Sequence, residues 1–229
     1  MRNSPCHQNK TAFSSSIFRS FKTLNGIRRA YLKRTMNLRT PFSILCFVLL
    51  GVAHHTVAAP AVVVSVPDQK LAVIDNGVAV AQFPVSTSKF GLGDRPGSYA
   101  TPLGFLEIAA KIGANAPMGA VFKNRRMTGE VLSPNARGRD PIVTRILWLR
   151  GLEKRNAGAF ARNIYIHGTP VEQLIGRPAS YGCIRMRSRD VIALFSSINV
   201  GTKIAVLNQH LHDAIAASST GLLVGLASN

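Results

Sequence analysis

The chain has 229 residues, with 28 lysines and arginines against ten aspartates and glutamates, a formal net charge of +18, and three cysteines. Nine of the basic residues and none of the acidic ones precede Pro60, so the rest of the chain keeps 19 basic against ten acidic residues, a net charge of +9. Cys6 and Cys46 also precede it; Cys183 is then alone, which excludes an internal disulfide framework and a cysteine-built tetrahedral zinc site in that part of the chain.

Residues 1–35 hold eight basic residues, no acidic ones and no hydrophobic period. They read as an untranslated or disordered leader, with translation from Met36 preferred over an export signal that has a very long n-region. Residues 36–58 read as the signal itself. Arg39 supplies the positive n-region, and Pro41 to Ala53 is an apolar stretch shorter than the roughly 20 residues of a membrane span. Thr56-Val57-Ala58 supplies a small-residue cleavage site. An uncleaved amphipathic anchor is the alternative; a lipid anchor at Cys46 is disfavoured because Leu45 precedes it inside the apolar core. The expected product is exported, to the periplasm or cell wall, and meets the membrane only transiently through its signal. Basic charge fits nucleic acid or a cell-wall polyanion, and export leaves the second, so no nucleic-acid partner is expected. Arg125-Arg126 and Arg137-Gly138-Arg139 read as solvated surface.

About 170 residues follow the cleavage site, enough for one domain with a core of its own. Val62-Val63-Val64-Ser65-Val66 is a short β-branched strand, and Leu71-Ala72-Val73-Ile74 a second. Asn76-Gly77 then separates it from Val78–Phe83, the strongest hairpin signal in the chain. Val85-Ser86-Thr87-Ser88 leads into a loop with Gly91, Gly93 and Gly97, and Phe105–Ile108 is a further strand. Lys111 to Asp140 has weak periodicity and scattered Gly, Pro and Asn, the composition of an excursion serving as a lid or binding loop. Strand patterns return at Ile142–Leu149 and Asn163–Ile166. Val191, Ile192, Leu194 and Phe195 recur at helical spacing, with Ser188 as the expected N-cap and Asp190 in the first turn. Gly201–Leu207 closes the domain as a last strand, and 208–229 reads as a tail able to form a loosely packed helix. The fold class expected is mainly β, a curved sheet or sandwich with one helix after the cysteine. No repeat, coiled coil or heptad pattern is present to fix an oligomeric state.

The chemistry concentrates in two runs, Ile164-Tyr165-Ile166-His167-Gly168-Thr169 and Ser180-Tyr181-Gly182-Cys183-Ile184-Arg185-Met186. Cysteine attacks as its thiolate, and a nearby imidazole is a common means of making one. Gly182 and Arg185 suit backbone exposure and anion contact better than the packing of an inert buried thiol. Gly168-Thr169-Pro170 breaks the strand after His167, which puts the histidine at a strand mouth. A helix after Cys183 would bring positive backbone amides close to the sulfur, along with Arg185 and Arg187. The N–H groups of Gly182 and Cys183 are candidate oxyanion donors. Nucleophile, base, oxyanion donors and a cation together point to acyl transfer. No metal is required, and one cysteine with one nearby histidine cannot complete a zinc site.

At these residues the chain resembles the L,D-transpeptidases, a cysteine-dependent family that cross-links peptidoglycan. The family pattern is a histidine followed by glycine, then Ser/Thr-His-Gly-Cys with a nearby Arg or Asn; the matching positions are His167-Gly168, Ser180, Gly182, Cys183 and Arg185. The resemblance spans about Val62 to Leu207, so 60–207 is the expected catalytic domain. It includes Gln69-Lys70-Leu71, Pro84-Val85-Ser86-Thr87, Thr101-Pro102-Leu103-Gly104 and Gly201-Thr202-Lys203-Ile204. Tyr181 departs from it, standing where the family usually has histidine. The resemblance implies that His167 deprotonates Cys183, which attacks the L-centre carbonyl of a stem tetrapeptide. D-alanine would leave, and the amine of a second stem peptide would resolve the acyl-enzyme. It also implies that the Gly168 carbonyl orients the imidazole, that Arg185 binds a stem-peptide carboxylate, and that no cofactor takes part. Two other readings remain: an L,D-carboxypeptidase with water as acceptor, and a non-catalytic wall-binding module.

Overall fold

The computed structural model describes residues 62–219. The leader at 1–35, the export signal at 36–58, Cys6, Cys46 and residues 220–229 lie outside the described residues. Val62–Ser65 (β1) is three valines and a serine, all buried. Val62 and Val64 point into one apolar cluster and Val63 into another, the two-residue alternation of a strand covered on both faces. Lys70–Asp75 (β2) and Val78–Pro84 (β3) form the expected hairpin. Asn76 and Gly77, at φ 48° and 78°, supply the left-handed pair that a two-residue turn demands.

Gly104–Ile112 (β4), Ala120–Lys123 (β5), Arg126–Val131 (β6), Ile142–Gly151 (β7), Tyr165–Gly168 (β8), Ile184–Met186 (β9) and Lys203–Leu207 (β10) complete the strands among the described residues. They form one mixed sheet in the order β3-β2-β1-β10-β4-β7-β5-β6, with β8 paired to β7 and β9 to β8. The pairs β1–β10 and β8–β9 are parallel. The fold is mainly β, as the sequence predicts.

Ser188–Ser197 (α1) packs its Val191 and Leu194 against Leu147, Leu149, Ile166 and Ile184, all buried. Each such side chain contributes roughly 1.5–3 kcal/mol by burial, so this helix fixes β8 and β9, the two strands that carry the site. The expected N-cap is corrected. Arg187 takes that position, while Ser188 is the first helical residue, buried, with its Oγ accepting from Thr144 Oγ1 at 2.8 Å. The Ser188 N–H donates instead to Glu172 Oε1 at 2.8 Å. A carboxylate from another part of the chain thus caps the helix.

Two further segments are more ordered than their composition implies. Lys111 to Asp140, read as an excursion, contains the β5–β6 hairpin, whose turn residues Asn124 and Arg125 have φ 50° and 65°. Arginine in that left-handed region costs roughly 1–2 kcal/mol, and with no glycine at 124 or 125 the sequence carries no clear turn signal there. Within the described part of the tail, Leu211–Ser219 (α2) buries Leu211 and Ala214 against Val63, Ala72 and Ala205. Asp68 accepts from the Leu211 N–H at 2.6 Å and pairs with His210 at 2.7 Å. Those two bonds hold the Asp68 carboxyl below its usual range.

Candidate active site

The β8–β9 register sets the geometry. His167 lies opposite Arg185 and Ile166 opposite Ile184, so Cys183, one residue before β9, falls level with Tyr165. Residues two apart share a face of a strand, so Tyr165, His167, Cys183 and Arg185 project to the same side. His167 and Cys183 are then separated by a diagonal of roughly 8 Å between backbone positions, given strand spacing and rise. The two runs singled out in the sequence meet because parallel pairing requires a crossover, here residues 169–183.

His167 is not at an open strand mouth. It lies within β8 and is 5% exposed. Its Nδ1 is 2.8 Å from the carbonyl oxygen of Gly168. A carbonyl only accepts, so Nδ1 carries the proton and Nε2 keeps its lone pair for a base's work. Burial lowers the imidazole pKa to about 4; the Gly168 carbonyl opposes that, Arg185 adds to it, and Asp140 opposes it. Gly168 cannot be replaced without moving this carbonyl, because a Cβ there would meet Val143 O at 2.6 Å and Thr144 Cβ at 3.1 Å. Thr144 itself has φ 73° at an irregularity between Val143 and Ile146 where β7 pairs β8. A β-branched residue held there stores roughly 1–3 kcal/mol of strain beside Gly168.

Cys183 is half-buried, and its thiol lies 3.5 Å from Asn163 O. Burial pushes the thiol up to about 11, against the backbone N–H of Tyr165 and the charges of Arg185 and Arg162. Both shifts favour the uncharged forms, a thiol at Cys183 and an imidazole at His167. The expected help from a helix N-terminus is also corrected. Four residues lie between Cys183 and Ser188, three of them in β9, and five steps at strand rise are up to about 16 Å. Helix-terminal fields fade within the first turn.

The turn from Ser180 to Cys183 is stapled internally. Ser180 Oγ donates to Cys183 O at 2.5 Å and accepts from the Gly182 N–H at 3.2 Å. Thr101 Oγ1 donates to Gly182 O at 3.0 Å. Gly182 has φ 114°, and a Cβ there would lie 3.2 Å from Ala100 O, so the turn requires glycine. Of the two expected oxyanion donors, the Gly182 N–H is thus engaged in holding the turn.

Arg185 departs most from its expected role. It is 7% exposed and pairs with Asp140 at 2.6 Å, while Asp140 also accepts from Thr169 Oγ1 at 2.5 Å. Its charge is satisfied inside the protein, beside His167. Tyr181 is exposed, accepts from Lys89 Nζ at 3.2 Å, and joins Phe90 and Tyr99 in a trio with ring centroids 5.3–5.9 Å apart. Tyr99 and Tyr181 rim a pocket of about 170 Å³ that Cys183, Arg162, Ile164 and Gly97 complete. Arg162 ties the glycine-rich loop to this pocket through Asp94 at 2.6 Å and Ala100 O at 2.7 Å. Sequence reading missed Asp140, Arg162, Asn163 and Tyr165; of these only Asn163, left-handed at φ 58°, belongs to a residue type that signals such a turn. Among the described residues no three His, Cys, Asp or Glu side chains are grouped to hold a metal.

A family model described as the YkuD L,D-transpeptidase catalytic domain matches residues 59–206. The chain is 36% identical over 87 residues to the YkuD protein of Bacillus licheniformis, covering 34% of this chain and 48% of that relative. It is 32% identical over 126 residues to the YkuD protein of Bacillus subtilis, covering 48% and 70%. The chain thus spans about half the length of the first of these relatives. Among solved structures, an L,D-transpeptidase from Mycobacterium smegmatis is similar at a TM-score of 0.42 and 20% identity, over 66% of this chain and 59% of that one. With the matched family domain covering both His167 and Cys183, the chain belongs to the YkuD family of L,D-transpeptidase catalytic domains.

Proposed function

We propose that the chain is a peptidoglycan L,D-transpeptidase, exported to the periplasm or cell wall, with Cys183 as nucleophile and His167 as general base. The observation that carries this reading is the bond from His167 Nδ1 to Gly168 O, which leaves Nε2 unprotonated on the face it shares with the thiol. A thiol near 11 beside an imidazole near 4 keeps its proton at neutral pH, so proton transfer accompanies attack and does not precede it.

In acylation the sulfur bonds to the carbonyl carbon of the L-centre in a stem tetrapeptide while its proton passes to Nε2. The carbon–nitrogen bond then breaks, the leaving D-alanine nitrogen takes the proton from the imidazolium, and a thioester remains. The amine of a second stem peptide attacks the thioester, gives a proton to Nε2, and Cys183 leaves as sulfur that recovers that proton. Ser180 and Gly182 act through the turn that presents the sulfur, and Gly168 acts through the tautomer it imposes.

Incubating the purified protein with disaccharide-tetrapeptide and weighing the products tests this. Cross-linked dimer is the expected product; tripeptide alone would mean that water is the acceptor, and unchanged substrate would mean a binding module. His167→Ala should slow acylation by at least ~10²-fold, the range of a positioned general base. Acylation at the wild-type rate in that variant would remove His167 from the role.

A further inference from the structure

We propose that Arg125, at the tip of the β5–β6 hairpin, is the receptor for a substrate carboxylate at the Cys183 site; the substrate part of this rests on the function proposed above. The sequence reading left Arg125 on solvated surface, and the family resemblance implies the carboxylate for Arg185, but Arg185 is buried against Asp140. Arg162 is likewise paired, with Asp94. Arg125 forms no ion pair among the described residues, yet its side chain is held in place. Its Nη1 donates to Asn163 Oδ1 at 3.0 Å and to Tyr165 Oη at 3.1 Å, and its guanidinium lies 4.4 Å from the Trp148 ring centroid. Trp148 is in turn stacked on Phe160 at 4.0 Å and donates from Nε1 to Phe160 O at 3.1 Å.

Three features make this a site and not an idle surface contact. Its anchor reaches the nucleophile, because the Cys183 thiol is 3.5 Å from the carbonyl of Asn163, whose side chain accepts from Arg125. The arginine occupies a left-handed turn position, φ 65°, that favours glycine or asparagine, so the backbone tolerates strain to present this side chain. Both bonds use Nη1 alone, which leaves Nη2 and Nε, one edge of the planar fork, for a carboxylate. A stem tetrapeptide offers two kinds of carboxylate: the C-terminus of the departing residue and those carried along the stem. Both present the same chemistry to the fork.

Alkylation of Cys183 tests the cation without assuming any substrate. Rates with anionic iodoacetate and neutral iodoacetamide are measured on the full chain, with Cys183 read by peptide mapping. Arg125→Gln should lower the iodoacetate-to-iodoacetamide ratio by roughly tenfold, from loss of a charge near the sulfur. The iodoacetamide rate should hold, which shows the site still folded. Arg126→Gln, the same charge loss at the exposed neighbour, should leave the ratio unchanged. An equal fall in both variants, or none in Arg125→Gln, overturns the proposal. Tetrapeptide kinetics then identify the carboxylate. Arg125→Gln should raise KM for the free acid roughly tenfold or more, with Arg125→Lys recovering part of it. If the C-terminal amide shows no such rise, the terminal carboxylate is the ligand; an equal rise identifies a stem carboxylate. An unchanged KM for both peptides refutes the substrate role even where the alkylation ratio moves. If the wild type turns over neither peptide, the proposed function fails, while the alkylation arm still decides whether Arg125 receives an anion.

Discussion

Replacing Asp140 with asparagine removes the carboxylate that faces Arg185 at 2.6 Å and keeps an oxygen for Thr169 Oγ1 to donate to. The change is therefore one of charge more than of packing. The Arg185 side chain is 9% exposed and that of Asp140 25%. Removing one partner of a buried pair costs about 3–5 kcal/mol, and the partly open carboxylate puts this pair near the lower figure, about 3 kcal/mol. In a domain of this size that is a fall in Tm of roughly 6–12 °C. Arg185→Met alone should cost a similar amount, and the double variant less than the two together, with a coupling of about 1 kcal/mol or more. Thermal melts of the four proteins supply the cycle. Chemistry gives a second reading. Arg185 lowers the His167 pKa and Asp140 opposes it, so Asp140→Asn leaves a weaker base and should slow acylation. A Tm shift below about 2 °C with no coupling would refute the reasoning, since Arg185 would then be free to take the carboxylate-binding role that the resemblance implies.

The depressed His167 pKa predicts an acid limb in stability. An imidazole near 4 when folded and near 6.5 when unfolded contributes fully above 6.5, and that contribution, about 3 kcal/mol, is lost as pH falls toward 4. Urea titrations across this window should show the loss, and His167→Asn should flatten it. Cys183, raised to about 11, should show alkylation by iodoacetamide still climbing above pH 9; a plateau near neutrality would mean a preformed thiolate. Gly182→Ala, forced into φ 114° with Ala100 O 3.2 Å away, should lower stability by about 1 kcal/mol or more and misplace the sulfur; a crystal structure with an unmoved Ser180–Cys183 turn would contradict this. Tyr181→His should keep or raise activity, because Tyr181 makes its contacts with Lys89, Phe90 and Tyr99 and not with His167; loss of acylation in that variant would count against His167 as the base.

The sequence by itself determined what depends on neighbours along the chain. Asn76-Gly77 can hardly do other than turn, because its residue types favour the φ values that the β2–β3 hairpin uses. The valines of β1 and the spacing of Val191, Leu194 and Phe195 likewise carry their structure in local shape and period. His167 and Cys183 were legible as a pair because their residue types imply the chemistry before any coordinates do. Tertiary structure alone decided how their charge environment is arranged. Asp140 reaches Arg185, Glu172 caps Ser188, and Arg125 meets Asn163, each across a gap in the chain that no period or turn signal measures. These groups meet because β-pairing brings distant segments side by side, and the charge of a residue says nothing about which opposite charge will be buried against it. The sequence favoured Arg185, two residues after Cys183, over Arg125 as the substrate cation. Burial of Arg185 against a carboxylate, and the bond from Arg125 to Asn163, whose carbonyl adjoins the Cys183 thiol, follow only from the packed sheet.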